Sequence, residues 1–220
     1  MFKEEARWLA NIIYSLNPNN IFPILNIGSS NQKFREHDQP WIDELLFKPA
    51  RTKGYSVIHA DMKNDIGVDL VGDLCDLDFL QELSEMNIQS VLCSNLLEHI
   101  TNREEICQII SSIIPKAGYI FVTVPYKYPY HRDPIDTMFR PDIQELSSLF
   151  PDFKIVNGEI LAGGYLVQST TITPVLYTLA MVIRLMLPIY QPLRWFDSLK
   201  YALWLFKDIS VSCVVLEKVN

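Results

Sequence analysis

The chain has 220 residues, of which 49% are hydrophobic and 20% charged, the balance of a folded domain and too apolar for a disordered one. A formal net charge of −7 and the absence of clustered Lys and Arg exclude the phosphate backbone of a nucleic acid as the main partner. Neither length nor composition marks a linker, so one domain spanning 1–220 is expected.

The opening residues carry charge through two turns and set Trp8, Ile12, Ile13 and Leu16 at helical spacing. They read as an amphipathic helix, Lys3 to Leu16, rather than a secretory signal, so a cytoplasmic protein is expected. Asn17-Pro18-Asn19-Asn20 stops it. The first strand follows, Ile21 to Ile27, and ends in Gly28-Ser29-Ser30, the way a buried parallel strand enters a tight turn that a ligand can approach. A polar stretch to Gln39 reads as irregular, and Pro40 to Phe47 as a short helix. Tyr55 to Ala60 is a second strand closing on Asp61, and Val68 to Val71 a third closing on Gly72-Asp73.

Leu77 to Met86 reads as helix and Ser90 to Ser94 as a fourth strand closing on Asn95. Leu96 to Ile114 is helical by pattern with a break near Thr101, whose Thr101-Asn102-Arg103-Glu104 spacing is that of a capping box. Pro115 to Gly118 turns the chain into a fifth strand, Tyr119 to Val124, ending at Pro125. A loop rich in Tyr, Pro, His and Asp runs to Arg140, and Pro141 starts a helix to Phe150. Phe153 to Asn157 and Ile209 to Glu217 read as the last strands. Strands alternating with helices imply an α/β, doubly wound, mostly parallel seven-stranded sheet, with an antiparallel pair at its edge.

Between the last strands lies a hydrophobic insertion, 171–206. Thr173-Pro174 opens one helix to Leu187, apolar nearly all round except Arg184; a second, Leu193 to Phe206, is amphipathic. The first is too short to span a bilayer. Two readings stand: a helical hairpin packed on the domain or on a second copy, and an anchor resting at a membrane surface. Cys75, Cys93, Cys107 and Cys213 form no CxxC pair and read as reduced thiols.

Asn26 to Ser30, Asp61, Asp73 and Asn95 each follow a strand, and in a doubly wound sheet those ends meet along one edge. Here the residues resemble the class I S-adenosylmethionine-dependent methyltransferases, in the branch called methyltransferase type 11, over Ile21 to Asn157. Ile24-Leu25-Asn26-Ile27-Gly28-Ser29-Ser30 is similar to the family's glycine turn. His59-Ala60-Asp61 and Val68 to Leu74 are similar to its second and third strand ends, and Val91 to His99 to its fourth strand with the Leu-Glu-His sequence after it. Pro115 to Pro125 is similar to its turn and fifth strand. Pro129 to Asp136, with Arg140, resembles a substrate-side loop of relatives in cell-envelope polysaccharide pathways.

The resemblance implies S-adenosylmethionine as cofactor, with Gly28, Ser29 and Ser30 against its methionine part, Asp61 on the ribose, Asp73 on the adenine amino group and Asn95 under the methionine portion. Asn26, Met62 and Leu74 complete the cofactor set. The family usually has an acid where this chain has Asn26, and further glycines where it has Ser30 and Gln32.

Methyl transfer to a hydroxyl needs alignment and a proton acceptor, and histidine suits the second task. His99 and His131 are the catalytic candidates, each weighed against a merely structural histidine; Tyr126, Tyr130, Asp133, Asp136 and Arg140 are the substrate-side candidates. His37 and His59 have no such company and take no role. The spacing of the histidines matches no metal motif, so no metal is predicted. The expected acceptor is a hydroxyl of a sugar or lipid-linked small molecule. Alternatives are a non-catalytic binding or assembly protein on the same scaffold and a dinucleotide-binding oxidoreductase, the latter lacking GxGxxG spacing.

Overall fold

The computed structural model describes residues 1–131, 135–165 and 207–219, together with 179, 182–184, 186, 195 and 204. Asp133 and the helices expected in 171–206 lie outside the described residues, apart from those single positions. No helix among the described residues is long and apolar enough to cross a membrane.

Strand β1, Ile24–Ile27, is buried at every residue, as a central parallel strand covered on both faces must be. It pairs in parallel with β2, Val57–Asp61, on one side. The two-residue β3, Leu70–Val71, continues that side. On the other side lie β4, Ser90–Ser94, and then β5, Tyr119–Lys127, all parallel. The chain closes with β6, Phe153–Tyr165, and β7, Asp208–Lys218, which inserts antiparallel between β5 and β6. The order of this seven-stranded sheet is β3-β2-β1-β4-β5-β7-β6, so the winding direction reverses beside β1.

Helix α1, Lys3–Ile13, lays Ala6, Leu9, Ala10 and Ile13 on one face of the sheet, against Ile24, Leu92, Phe121 and Val215. Its buried stripe is rotated from the expected one, and Trp8, Ile12 and Leu16 pack only partly buried at the margin. The opposite face is covered by α3, Leu77–Ser84, α4, Arg103–Ile113, and α5, Ile143–Ser148, through Phe79, Leu83, Ile106, Ile110 and Leu146. All four cysteines are free thiols, and three are buried.

Several expected boundaries change. The stretch read as irregular to Gln39 contains a π-helical turn, Phe34–Asp38; a second, Asp43–Phe47, runs into α2, Lys48–Thr52. Polar composition concealed the first because its inward residue is a cation, Arg35, only 5% exposed. Strand β5 continues through Pro125, where the pairing with β7 shifts register and no ladder N–H is required. Strand β6 runs past Asn157 to Tyr165 through two register shifts, which an edge strand with one partner tolerates.

The break near Thr101 is present, as a 3-10 turn Leu97–His99 ahead of α4, but the Thr101 capping box does not form. Asn102 is the cap residue, and its amide donates to Glu105 Oε2 at 2.7 Å instead of accepting from the helix. Helix α5 begins at Ile143, two residues later than Pro141 suggested, and ends at Ser148, short of Phe150. Asp142 accepts from the Glu145 N–H at 2.8 Å while Glu145 accepts from the Asp142 N–H at 2.9 Å.

Candidate functional site

The carboxyl ends of β1, β2, β3 and β4 open on a cleft of about 830 Å³, the size of a nucleoside-cofactor pocket. Every residue expected at the cofactor lines it: Asn26, Gly28, Ser29, Ser30, Asp61, Met62, Asp73, Leu74 and Asn95. At Gly28, φ is +62°, and an added Cβ would stand 3.0 Å from Leu96 Cδ1. Only glycine fits that turn without strain.

Ser30 also adopts a left-handed conformation, φ 55°, at a cost of about 1–2 kcal/mol for a residue with a Cβ. Two charged groups offset it. The Ser30 N–H donates to Asp61 Oδ2 at 2.8 Å, and the Lys63 N–H donates to Asp61 Oδ1 at 3.0 Å. Arg35 Nη1 donates to the carbonyls of Ser29 at 3.0 Å and Ser30 at 2.6 Å, while Nη2 donates to Gly67 O. Hydrogen bonds to a charged partner are worth roughly 1.5–3 kcal/mol each, enough to hold serine where glycine would be usual.

Asn26 is paired in register with His59 on β2, and its Nδ2 lies 3.1 Å from His59 Nδ1. Burial, with help from the charges of Arg35 and Arg51, pushes the His59 imidazole down to about 3. The folded protein therefore keeps this ring neutral where the unfolded chain protonates it, near pH 6.5. Its contribution is intact above pH 6.5 and is lost as the pH falls toward 3. We expect on the order of 5 kcal/mol of unfolding free energy to disappear across that window. Urea melts at stepped pH on native protein and His59→Gln check this; identical pH slopes in the two would contradict it.

At the end of β4, Asn95 takes φ 50°, a conformation asparagine tolerates, and its N–H donates to Thr123 O at 2.8 Å. Its Nδ2 donates to Glu5 Oε1 at 2.9 Å. The same oxygen accepts from Thr123 Oγ at 2.6 Å and Ser94 Oγ at 3.1 Å, while Oε2 accepts from the Phe2 N–H at 2.9 Å. A carboxylate only 1% exposed thus stands beside Asn95, brought there by α1.

His99, on the turn after β4, also lines the cleft. Its Nδ1 donates to Ile135 O, which fixes Nε2 as the lone-pair nitrogen of the neutral ring. Nε2 faces Glu98 Oε1 at 3.7 Å. Burial raises Glu98 to about 7. His131 packs edge-on to His99 with ring centroids 5.3 Å apart.

The loop after β5 is tied by Asp136, which accepts from the His131 N–H at 3.1 Å, the Met138 N–H at 2.8 Å and Arg140 Nη2 at 2.7 Å. Burial works to raise the Asp136 carboxyl, and these donors carry it below its usual value. Thr137 donates to Glu98 O through both N–H and Oγ, stitching the loop to the His99 turn. Asp136 and Arg140 thus hold the loop together; they, Tyr126, Tyr130 and the catalytic candidate His131 are not among the residues lining the cleft.

Sequence reasoning passed over Glu5, Arg35 and Glu98. Glu5 left a signal, since it shares the i, i+4, i+8 stripe with Leu9 and Ile13, and an acid on an apolar stripe needs a partner. Glu98 sat inside the quoted Leu-Glu-His sequence. Arg35 left none.

No family model and no curated protein sequence matches the chain. Solved structures do match in fold. A coclaurine N-methyltransferase bound to N-methylheliamine and SAH aligns with a TM-score of 0.55 at 15% identity, over 97% of this chain and 70% of that one. A SAM-dependent methyltransferase from Archaeoglobus fulgidus gives 0.50 at 14% identity, over 97% and 94%. The cyclase SpnF gives 0.50 at 14%, over 97% and 80%. The chain has the Rossmann-like methyltransferase fold. A cyclase on the same fold means that the site, not the fold, must carry the reaction.

Proposed function

We propose that the chain is an S-adenosylmethionine-dependent methyltransferase acting on a hydroxyl of a small-molecule acceptor, a sugar or a lipid-linked cell-envelope intermediate. The observation that carries this reading is the meeting of four strand ends, with Gly28, Asp61, Asp73 and Asn95, around one cleft at the reversal of strand order. When bound, the cofactor supplies a methyl group on a sulfonium. The Gly28 to Ser30 turn holds its methionine part, Asp61 its ribose and Asp73 its adenine, with Met62 and Leu74 against the base. Asn26 is neutral and engaged with His59, so the negative charge that favours a cationic ligand comes from Glu5 behind Asn95 and from Asp61.

The chain's own work is to align the acceptor and exclude water; we assign uptake of the hydroxyl proton to His99, which lines the cleft, with His131, packed against it but outside the lining, as the second candidate. Tyr126, Tyr130, Asp133, Asp136 and Arg140 form or brace the acceptor side. Leu179, Val182, Ile183 and Met186 are each more than half exposed, which supports a membrane-surface or subunit contact through 171–206.

A second reading, a non-catalytic scaffold, draws on Asp61 and Arg35, which already occupy the N–H of Ser30 and the carbonyls of Ser29 and Ser30. Calorimetric titration with S-adenosylmethionine and with its demethylated product separates the two. We expect micromolar binding, about −8 kcal/mol. No binding by folded protein would favour the scaffold.

A further inference from the structure

We propose that Glu98, His99 and His131 form a binding site for a divalent first-row transition cation. The spacing of the histidines gave no metal motif, because the loop after β5 brings His131 to the other two from more than thirty positions away. In the fold, one ligand atom from each of the three lies within 4.8 Å of the others. Two imidazoles and a carboxylate are the donor set of zinc, manganese, iron and cobalt sites that keep open positions.

Two independent observations point to a cation. Glu98 is 1% exposed, yet its Oε2 is buried without a hydrogen-bond partner among the described residues. A buried carboxylate oxygen left alone is costly. Moreover, His99 spends its N–H on Ile135 O, so the Nε2 lone pair faces Glu98 Oε1 across 3.7 Å. Two acceptors turned toward each other repel unless a proton or a metal cation sits between them. Donation of the second ring N–H to a backbone carbonyl is also how metal-bound histidines are oriented.

Among the described residues, His131 lacks the equivalent hydrogen bond but has a carboxylate beside its ring. Its Nδ1 lies 3.1 Å from Asp136 Oδ2, within ion-pair range but out of hydrogen-bond alignment, and Asp136 is anchored by Arg140. Bonds of about 2.0–2.2 Å put tetrahedral ligands about 3.5 Å apart. The Glu98 and His99 atoms are already there, and His131 closes the remainder with a shift of about 1 Å. Solvent reaches the cluster through the histidines, which are 19% and 24% exposed.

Because His99 lines the cleft, a cation here would present open positions to an acceptor with adjacent oxygens, a vicinal diol or a phosphate. That role rests on the methyltransferase reading; the site does not. On this assignment the two histidines are ligands and no longer proton acceptors.

The test is titration of the full, tag-free, EDTA-dialysed chain with Co²⁺, followed by visible absorption, and with Zn²⁺ by calorimetry. One equivalent should bind. His99→Ala, His131→Ala and the near-isosteric Glu98→Gln should each weaken it by at least about 100-fold, since outer partners alone are worth 10- to 100-fold. His37→Ala, at an exposed histidine, should leave it unchanged. No binding by the native chain, or binding that the three variants leave intact while circular dichroism shows them folded, overturns the proposal. Titrating S-adenosylmethionine into the same samples keeps the questions apart, because metal without cofactor, or cofactor without metal, fails only one of them.

Discussion

Asp61→Ala should weaken S-adenosylmethionine binding by about 100-fold or more while the chain stays folded. The carboxylate is assigned two tasks. It accepts from the Ser30 and Lys63 N–H groups, and on the proposed function it also accepts from ribose hydroxyls with its remaining lone pairs. Alanine removes both, and hydrogen bonds to a charged group are worth roughly 1.5–3 kcal/mol, close to tenfold or more apiece. Asp61→Asn keeps one accepting oxygen and should fall between native and alanine. Calorimetry on all three decides it. Native affinity in Asp61→Ala would remove the ribose from this position, even if the native chain binds the cofactor well.

Arg35→Ala should lower the melting temperature by roughly 10 °C. The carbonyls of Ser29 and Gly67 lose the Arg35 donor, at roughly 1–3 kcal/mol each, and that of Ser30 loses its charged donor and keeps only the Ser29 hydroxyl at 3.0 Å. Relief of burying the cation works the other way. Burial does lower the Arg35 pKa, against the attraction of Asp69, but the guanidinium keeps its proton and its donors. A net loss near 4 kcal/mol at 2–4 °C per kcal/mol gives the expected shift for a domain of this size. Arg35→Lys should recover less than half, because one ammonium cannot reach both the Ser29–Ser30 carbonyls and Gly67. Thermal melts followed by circular dichroism provide the check, and an unchanged midpoint in Arg35→Ala would show that the turn stands without it.

Both substitutions touch the same turn from opposite sides. The prediction for Arg35 concerns stability and holds whether or not a cofactor binds. That for Asp61 concerns binding. A chain in which Arg35→Ala melts early while Asp61→Ala leaves affinity intact would retain the fold as described and lose the site assignment.

By itself the sequence determined the strands of the sheet and the polar residues that close the first four. A parallel strand covered on both faces appears as an unbroken apolar run such as Ile24 to Ile27, and the polar residue after it marks where the strand leaves the core. The last two strands are joined by the long insertion 171–206 and not by one short crossover helix, an ending that suits the antiparallel pair observed. Such signals are local, because they come from the two-residue and 3.6-residue repeats of the backbone itself. Only the tertiary structure decided which side chains share a charge. Glu5 meets Asn95 across 90 positions, Arg35 serves carbonyls in two separate turns, and Glu98 becomes a buried carboxylate once the loop at 135–140 closes over it. None of these contacts has a sequence period, since each depends on which strand ends the sheet order makes neighbours.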